Sequence, residues 1–230
     1  MSENASLLAL LSNLVSEKRI VFHHLFEFNY LPASYIHPSR KHLFFDGMLS
    51  DRAWTHSQAW PKLSRQMLEY LNLHKTCSFD VSSIESMYFL LPLPNFRNLA
   101  RHIGAIMIGS SIRLSLGRED VLEWKKKLGD EVFSFVMNCG TLFPEKYIDL
   151  KLDRMNDIER IGGSLILSAI RDLPEHILGR ALLKFHIDAT DLKVDKKAAK
   201  NLTNSVLFLL EREWHSLFLT NALVPELTHH

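Results

Sequence analysis

Apolar residues recur at intervals of three and four along most of this chain, which is the spacing of one face of an α-helix. The spacing is clearest in residues 7–15, 62–73, 80–91, 158–173 and 195–218. Only residues 147–152 and 181–188 leave strand and helix in competition. The pattern predicts an all-α fold with at most minor β-structure, arranged as a compact multi-helix domain with an irregular N-terminal segment.

Start and stop signals locate several of these helices. In residues 118–128 acidic side chains come first and three lysines come last, and a glycine follows, which matches a complete helix with its C-cap. Asp130 predicts the N-cap of the next helix, whose Met137 is expected to face inward, and Asp195 predicts the N-cap of the last long helix. Residues 46–61 have the weakest periodicity and predict a long loop.

Composition and charge indicate a soluble globular protein without a bulk attraction for polyanions. Of the 230 residues, 47% are hydrophobic and 23% are charged. Lys and Arg total 27 and Asp and Glu total 26, so nucleic-acid binding is not expected. Cys77 and Cys139 share no motif and are expected to be reduced thiols of a cytosolic protein. The most apolar internal segment, 103–112, is far shorter than the roughly 20 residues of a membrane helix, so no direct membrane insertion is predicted.

Candidate catalytic and metal-binding residues do not form a known motif. His23, His24, His37 and His42 lie within twenty residues and could supply three ligands, but no His-Glu-x-x-His or Cys-x-x-Cys accompanies them, and no metal is predicted. Ser39 lies beside His37, yet neighbouring residues rarely face each other, and Ser164 lacks the strand-turn-helix context of a hydrolase nucleophile. We therefore expect no catalytic residue and no cofactor.

Small and aromatic residues have structural explanations as well as functional ones. Gly104 and Gly162 lie in helical patterns and predict close approach of helices rather than a cofactor site. Trp54 and Trp60, in the predicted loop, either cover the helical body or contact a partner, and both possibilities stay open. Arg40 is a third candidate for partner contact.

Two motifs resemble those of one protein family. Residues 28–40, FNYLPASYIHPSR, contain Phe-Asn, a proline and Tyr-x-His-Pro-Ser, and residues 90–113 contain a Leu-Pro segment followed by Leu-x-x-His-x-Gly. The motif residues are Phe28, Asn29, Pro32, Tyr35, His37, Pro38, Ser39, Leu99, His102 and Gly104. Both motifs resemble those of the SctK family (YscK, PscK, MxiK and OrgA types) of bacterial type III secretion systems. The resemblance covers about residue 26 to the last helix, which predicts a helical extension over 1–25 and a single SctK-like domain over 26–230.

The resemblance implies a non-enzymatic adaptor of the secretion sorting platform. Such a protein joins the cytoplasmic domain of the inner-membrane ring protein SctD to the pod protein SctQ, and through it to the stator SctL and the ATPase SctN. Its expected location is cytoplasmic, peripheral to the inner membrane. The motif residues are then structural, with Pro38 in the first turn of a short helix and His37 and Tyr35 fixing the segment. The alternatives are a small helical enzyme or ligand-binding protein with a histidine-containing pocket, and a secretion chaperone with a large groove.

Overall fold

Helices provide the regular structure of the computed structural model. It describes residues 19–45, 51–79, 88–114, 117–139, 158–190 and 195–213, and no strand occurs in these ranges. The all-α prediction is confirmed for the part of the chain described. Residues 181–188 end a helix and continue as a 3₁₀-helix and turns. The predicted helix over 7–15, most of the one over 80–91 and the ambiguous segment 147–152 lie outside the described residues.

The described residues form eleven α-helices and three 3₁₀-helices. They are α1 (Arg19–Tyr30), α2 (Pro32–Tyr35), a 3₁₀-helix (Pro38–Leu43), α3 (Asp51–Thr55), a 3₁₀-helix (Ser57–Ala59), α4 (Trp60–Tyr70), α5 (Leu93–Met107), α6 (Gly109–Leu114), α7 (Arg118–Leu128), α8 (Asp130–Cys139), α9 (Ile158–Ile170), α10 (Glu175–Ala181), a 3₁₀-helix (Leu182–Lys184) and α11 (Lys196–Glu213). Residues 88–90 are also helical. After α1, residues 32–43 therefore form two short helical pieces.

Several predicted helix ends are confirmed. Helix α7 ends at Gly129, whose φ of 81° lies in the region that favours glycine, and whose N–H donates to Lys125 O at 2.8 Å. Asp195 accepts a hydrogen bond from Ala198 N through Oδ2 at 2.8 Å, as an N-cap does. Pro174 directly precedes α10.

Three expectations are wrong. The described part of the predicted loop is mostly helical, because α3 occupies residues 51–55 and a 3₁₀-helix occupies residues 57–59. Asp130 is the first residue of α8 and lies in its first turn instead of capping it. Met137 is 44% exposed, because the buried face of α8 is narrower than the apolar stripe and ends at Val136.

The chain divides into two compact units. Of the described residues, unit 1 contains those within 19–93 and 174–184, and unit 2 contains those within 94–173 and 185–213. In unit 1, α2 packs against α1 and α4; in unit 2, α9 packs along α11 and α8 packs against α7. Helix α1 runs through residues 25 and 26, and the division into an extension and one domain stays a prediction.

Two glycines allow close contact between α5 and α9 in unit 2. A Cβ atom built on Gly104 would overlap Ile158 O, and one built on Gly162 would overlap Ala100 O. The expectation that these glycines mark close helix packing is confirmed. Within the described ranges, no helix has the length and apolar character needed to cross a membrane.

Candidate functional site

The first motif forms a hydrogen-bonded joint between α1 and the segments around it in unit 1. The Tyr35 hydroxyl donates to Phe28 O at 2.7 Å, and both rings are buried. Asn29 is fully buried; its Nδ2 donates to Leu25 O and Ser78 O, and its Oδ1 accepts from Ser78 N at 2.9 Å. These side chains satisfy backbone groups at the end of a helix, so their role is to hold chain segments together.

His37 caps the 3₁₀-helix that follows it. Its Nδ1 accepts from Ser39 N at 3.1 Å and lies 2.7 Å from Ser39 Oγ, while Pro38 is the first residue of the turn. The expectation that His37 and Ser39 do not face each other is therefore wrong. In a catalytic pair, the histidine nitrogen acts as the base for the serine hydroxyl. Here His37 Nδ1 accepts the backbone N–H of Ser39, as the side chain of an N-cap residue does. The backbone N–H of His37 donates to Leu183 O at 2.7 Å. Pro32 is the first residue of α2, as Pro38 is of the 3₁₀-helix.

The candidate partner-contact residues differ in exposure. Trp54 is only 5% exposed, and its carbonyl accepts a hydrogen bond from Trp60 Nε1 at 2.9 Å. Lys41 Nζ lies 5.7 Å from the centroid of the Trp54 ring. Trp60 and Arg40 are half-buried. Of the two possibilities left open by the sequence, Trp54 fits the one in which it covers the helical body.

Arg180 is a buried cation whose acceptors are backbone carbonyls and a hydroxyl. It is 2% exposed, and its guanidinium donates to Asn29 O at 3.3 Å, His176 O at 2.8 Å and Leu73 O at 2.7 Å, and also to Thr76. Burial lowers the pKa of this side chain from its ordinary value. One side chain thus joins α1, α10 and the residues after α4.

Lys184, one helical turn later, is a second buried basic side chain. It is 3% exposed; its Nζ donates to Phe89 O and Leu91 O and lies 4.8 Å from the centroid of the Tyr35 ring. Burial lowers its pKa to about 7, and the charge of Glu27 offsets only part of this effect. Burial also raises the pKa of the Tyr35 hydroxyl, which stays protonated.

Neither basic side chain was predicted from the sequence. Arg180 and Lys184 stand four residues apart in the otherwise apolar run ILGRALLKF, residues 177–185. Two basic residues at helical spacing inside such a run could have predicted buried hydrogen bonds, because a basic side chain on the buried face of a helix must find acceptors in the protein interior. Apart from His176 O, the acceptors come from Asn29 and from residues 73–76 and 89–91, and nothing in the local pattern identifies them.

The second motif is buried in unit 2. Leu99 and His102 are fully buried on α5. The His102 ring donates from Nδ1 to Asn98 O at 2.8 Å and packs edge-on against Phe135, with ring centroids 4.8 Å apart. Its Nε2 lies 3.9 Å from Glu131 Oε1. These contacts fix α5 against α8, so the motif residues of unit 2 are also packing residues.

The remaining candidate groups do not assemble into a reactive centre among the described residues. The side chain of His23 is 64% exposed and that of His24 is 14% exposed, and both lie against Glu27 on α1. Within the described ranges, no group of three or more His, Cys, Asp or Glu side chains is arranged to hold a metal ion. Ser164 Oγ accepts from Thr190 N at 3.2 Å, which is a structural contact.

Fold and contacts together define an all-α protein whose two sequence motifs are built into its packing. Comparisons with protein-family models, curated proteins and solved structures found no match. The function is therefore argued from the motif residues and their contacts.

Proposed function

We propose that this protein is a non-enzymatic adaptor of the SctK type in the sorting platform of a bacterial type III secretion system. In this role it joins the cytoplasmic domain of the SctD-type ring protein to the SctQ-type pod protein, and through it to the stator and ATPase. Its location is the cytoplasmic side of the inner membrane, where the secretion apparatus holds it.

The observation that carries the proposal is the structural use of the motif residues. Phe28, Asn29, Tyr35 and His37 are nearly or fully buried, and the last three hydrogen-bond to chain segments around them. Motif residues with such contacts specify a scaffold, and a scaffold is what an adaptor contributes to an assembly. The all-α fold agrees with the resemblance.

The chemistry of the polar groups also supports a scaffold. The His37 and Ser39 pair caps a turn, and Arg180 and Lys184 bind backbone carbonyls. Each of these potentially reactive groups already satisfies a buried or terminal backbone group, so each has a structural role. An adaptor requires binding surfaces held in a fixed shape, and these contacts provide such rigidity.

Direct binding tests the proposal. The purified protein is mixed at micromolar concentration with the SctD-type cytoplasmic domain and the SctQ-type pod protein of the same bacterium. Complexes are measured by size-exclusion chromatography with light scattering. We expect a binary complex with each partner and a ternary complex with both, because an adaptor must hold them together.

Failure to bind either partner, with all three proteins folded by circular dichroism, would contradict the proposal. A separate outcome would favour an enzyme. If the His37→Ala variant stays folded and binds both partners while secretion stops, His37 has a chemical role that the adaptor function does not explain.

A further inference from the structure

Lys184 connects two segments of unit 1 that are distant in the sequence through its side chain. It ends the 3₁₀-helix Leu182–Lys184, and its Nζ reaches two carbonyl oxygens, those of Phe89 and Leu91. These acceptors precede it by 95 and 93 residues, and they lie just before α5 begins at Leu93. The contact therefore holds the residues that lead into α5.

The surroundings of Nζ are aromatic and nearly free of water. The Tyr35 ring covers one side, and Phe28 stacks on both Tyr35 and Phe89, with centroid distances of 6.0 Å and 4.6 Å. A charge in such surroundings has lost its hydration shell, and two neutral carbonyls replace only part of it.

The charged groups near Lys184 do not provide a close counter-ion. Glu27 on α1 attracts the ammonium, but the contacts of its carboxylate within ion-pair distance are to His23 and His24. On α2 the facing group is the Tyr35 ring, and on α10 the cation Arg180 binds other carbonyls. Among the described residues, no carboxylate oxygen lies within 4.0 Å of the Lys184 amine.

We infer that Lys184 is a proton-controlled latch of unit 1, in which the uncharged amine fastens residues 89–91 to the 3₁₀-helix and protonation weakens the unit. An amine has two N–H donors, which is the number that the two carbonyls require. A proton adds a third donor and a full charge, and the Tyr35 ring face and the two carbonyls stabilise that charge less than the water they replace. Protonation therefore favours any state of unit 1 in which water reaches Nζ. This inference does not depend on the proposed function.

The direction of the pH dependence follows from the burial. Burial lowers the pKa of Lys184 from 10.5 to about 7. Below about 7 the amine is protonated in the folded and the unfolded chain, and the full penalty of the buried charge is present. Between about 7 and 10.5 the unfolded chain binds this proton and the folded chain does not, so the free energy of unfolding rises with pH across that window.

The first experiment measures the titration itself. The protein is labelled with ¹³C at the lysine ε-carbon, and the Lys184 signal is identified as the one missing from the Lys184→Met variant or, if that variant does not fold, as the one shielded from a soluble paramagnetic agent. We expect a midpoint near pH 7, about 3.5 pH units below the ordinary value for a lysine. A Lys184 signal that titrates together with the exposed lysines would overturn the inference.

The second experiment measures the consequence for stability. Urea unfolding is followed from about pH 7.5 to about pH 9.5 for the wild type, Lys184→Met and the control Lys62→Met, whose lysine is exposed in the same unit. For the wild type and the control, we expect the unfolding constant to fall up to about tenfold per pH unit more than it does for Lys184→Met. An equal pH dependence in all three proteins would overturn the latch. If Lys184→Met does not fold, the wild-type titration decides.

Discussion

At the scale of single residues, His37 stabilises the chain by accepting a backbone N–H at the start of a 3₁₀-helix. Its neighbour Pro38 has no N–H and a fixed φ, so it fits the first position without leaving a donor unsatisfied. The two residues therefore together start the 3₁₀-helix shortly after α2 ends.

Replacing this cap tests its contribution. We expect His37→Ala to lower the free energy of unfolding by about 0.5–2 kcal/mol, because the Ser39 N–H loses its acceptor. His37→Asn, whose side-chain oxygen can accept the same bond, is expected to recover part of the loss. Urea unfolding monitored by circular dichroism measures both variants, and an Asn variant no more stable than the Ala variant would argue against capping.

At the scale of helices, the glycines at the α5 and α9 contact set how closely the two axes approach. Gly104 faces the backbone of Ile158, and Gly162 faces the backbone of Ala100, so there is no flexible side chain that could move aside. A methyl group at either position forces the helices apart or bends one of them.

Alanine substitution makes this contact measurable. Gly104→Ala and Gly162→Ala are each expected to destabilise unit 2 by about 1–3 kcal/mol through overpacking. Gly163→Ala is the matched control on the same helix, because its added Cβ would lie 3.5 Å from Phe185 Cδ1, an ordinary contact distance. We expect the control to be neutral or slightly stabilising, since alanine is the better helix former. If all three variants change the free energy of unfolding equally, close packing of α5 against α9 does not explain the need for glycine at positions 104 and 162.

Helix ends marked by charge and glycine could be predicted from the sequence because their signals are local. Helix α7 has acidic residues in its first turn, lysines in its last and Gly129 after it. Helix α3 was missed because five residues are too few to show a period. Apart from His176 O, which lies one turn earlier on the same helix, the acceptors of Arg180 and Lys184 could not be predicted, since they lie about 90 to 150 residues away in the chain and are brought together only by folding.

At the scale of the whole molecule, the two units differ in the apolar side chains that they expose. Among the described residues, exposed aromatic side chains occur only in unit 1. They are Phe26, Tyr30 and Tyr70, whereas the exposed large apolar side chains of unit 2 are Leu114, Leu122 and Met137. Since interfaces favour aromatic residues, unit 1 is the first place to look for a partner contact.

A pair of surface variants compares the two units under the proposed function. Tyr70 is 71% exposed and Leu114 is 78% exposed, so neither substitution by alanine is expected to affect folding. We expect Tyr70→Ala to weaken binding of the ring or pod protein about tenfold and Leu114→Ala to leave it unchanged, as measured by calorimetric titration. The opposite result would assign the contact to unit 2.

The positions of the tryptophans give each unit its own optical signal. Of the four tryptophans, Trp54 and Trp60 lie in unit 1 and Trp124 lies in unit 2. Trp54 and Trp124 are buried, and a buried indole shifts its fluorescence when water reaches it. Trp214 lies outside the described residues, and replacing it and Trp124 by phenylalanine leaves emission from unit 1 alone. A spectrometer can then follow the opening of one unit in the intact protein, without labels and without separating the units.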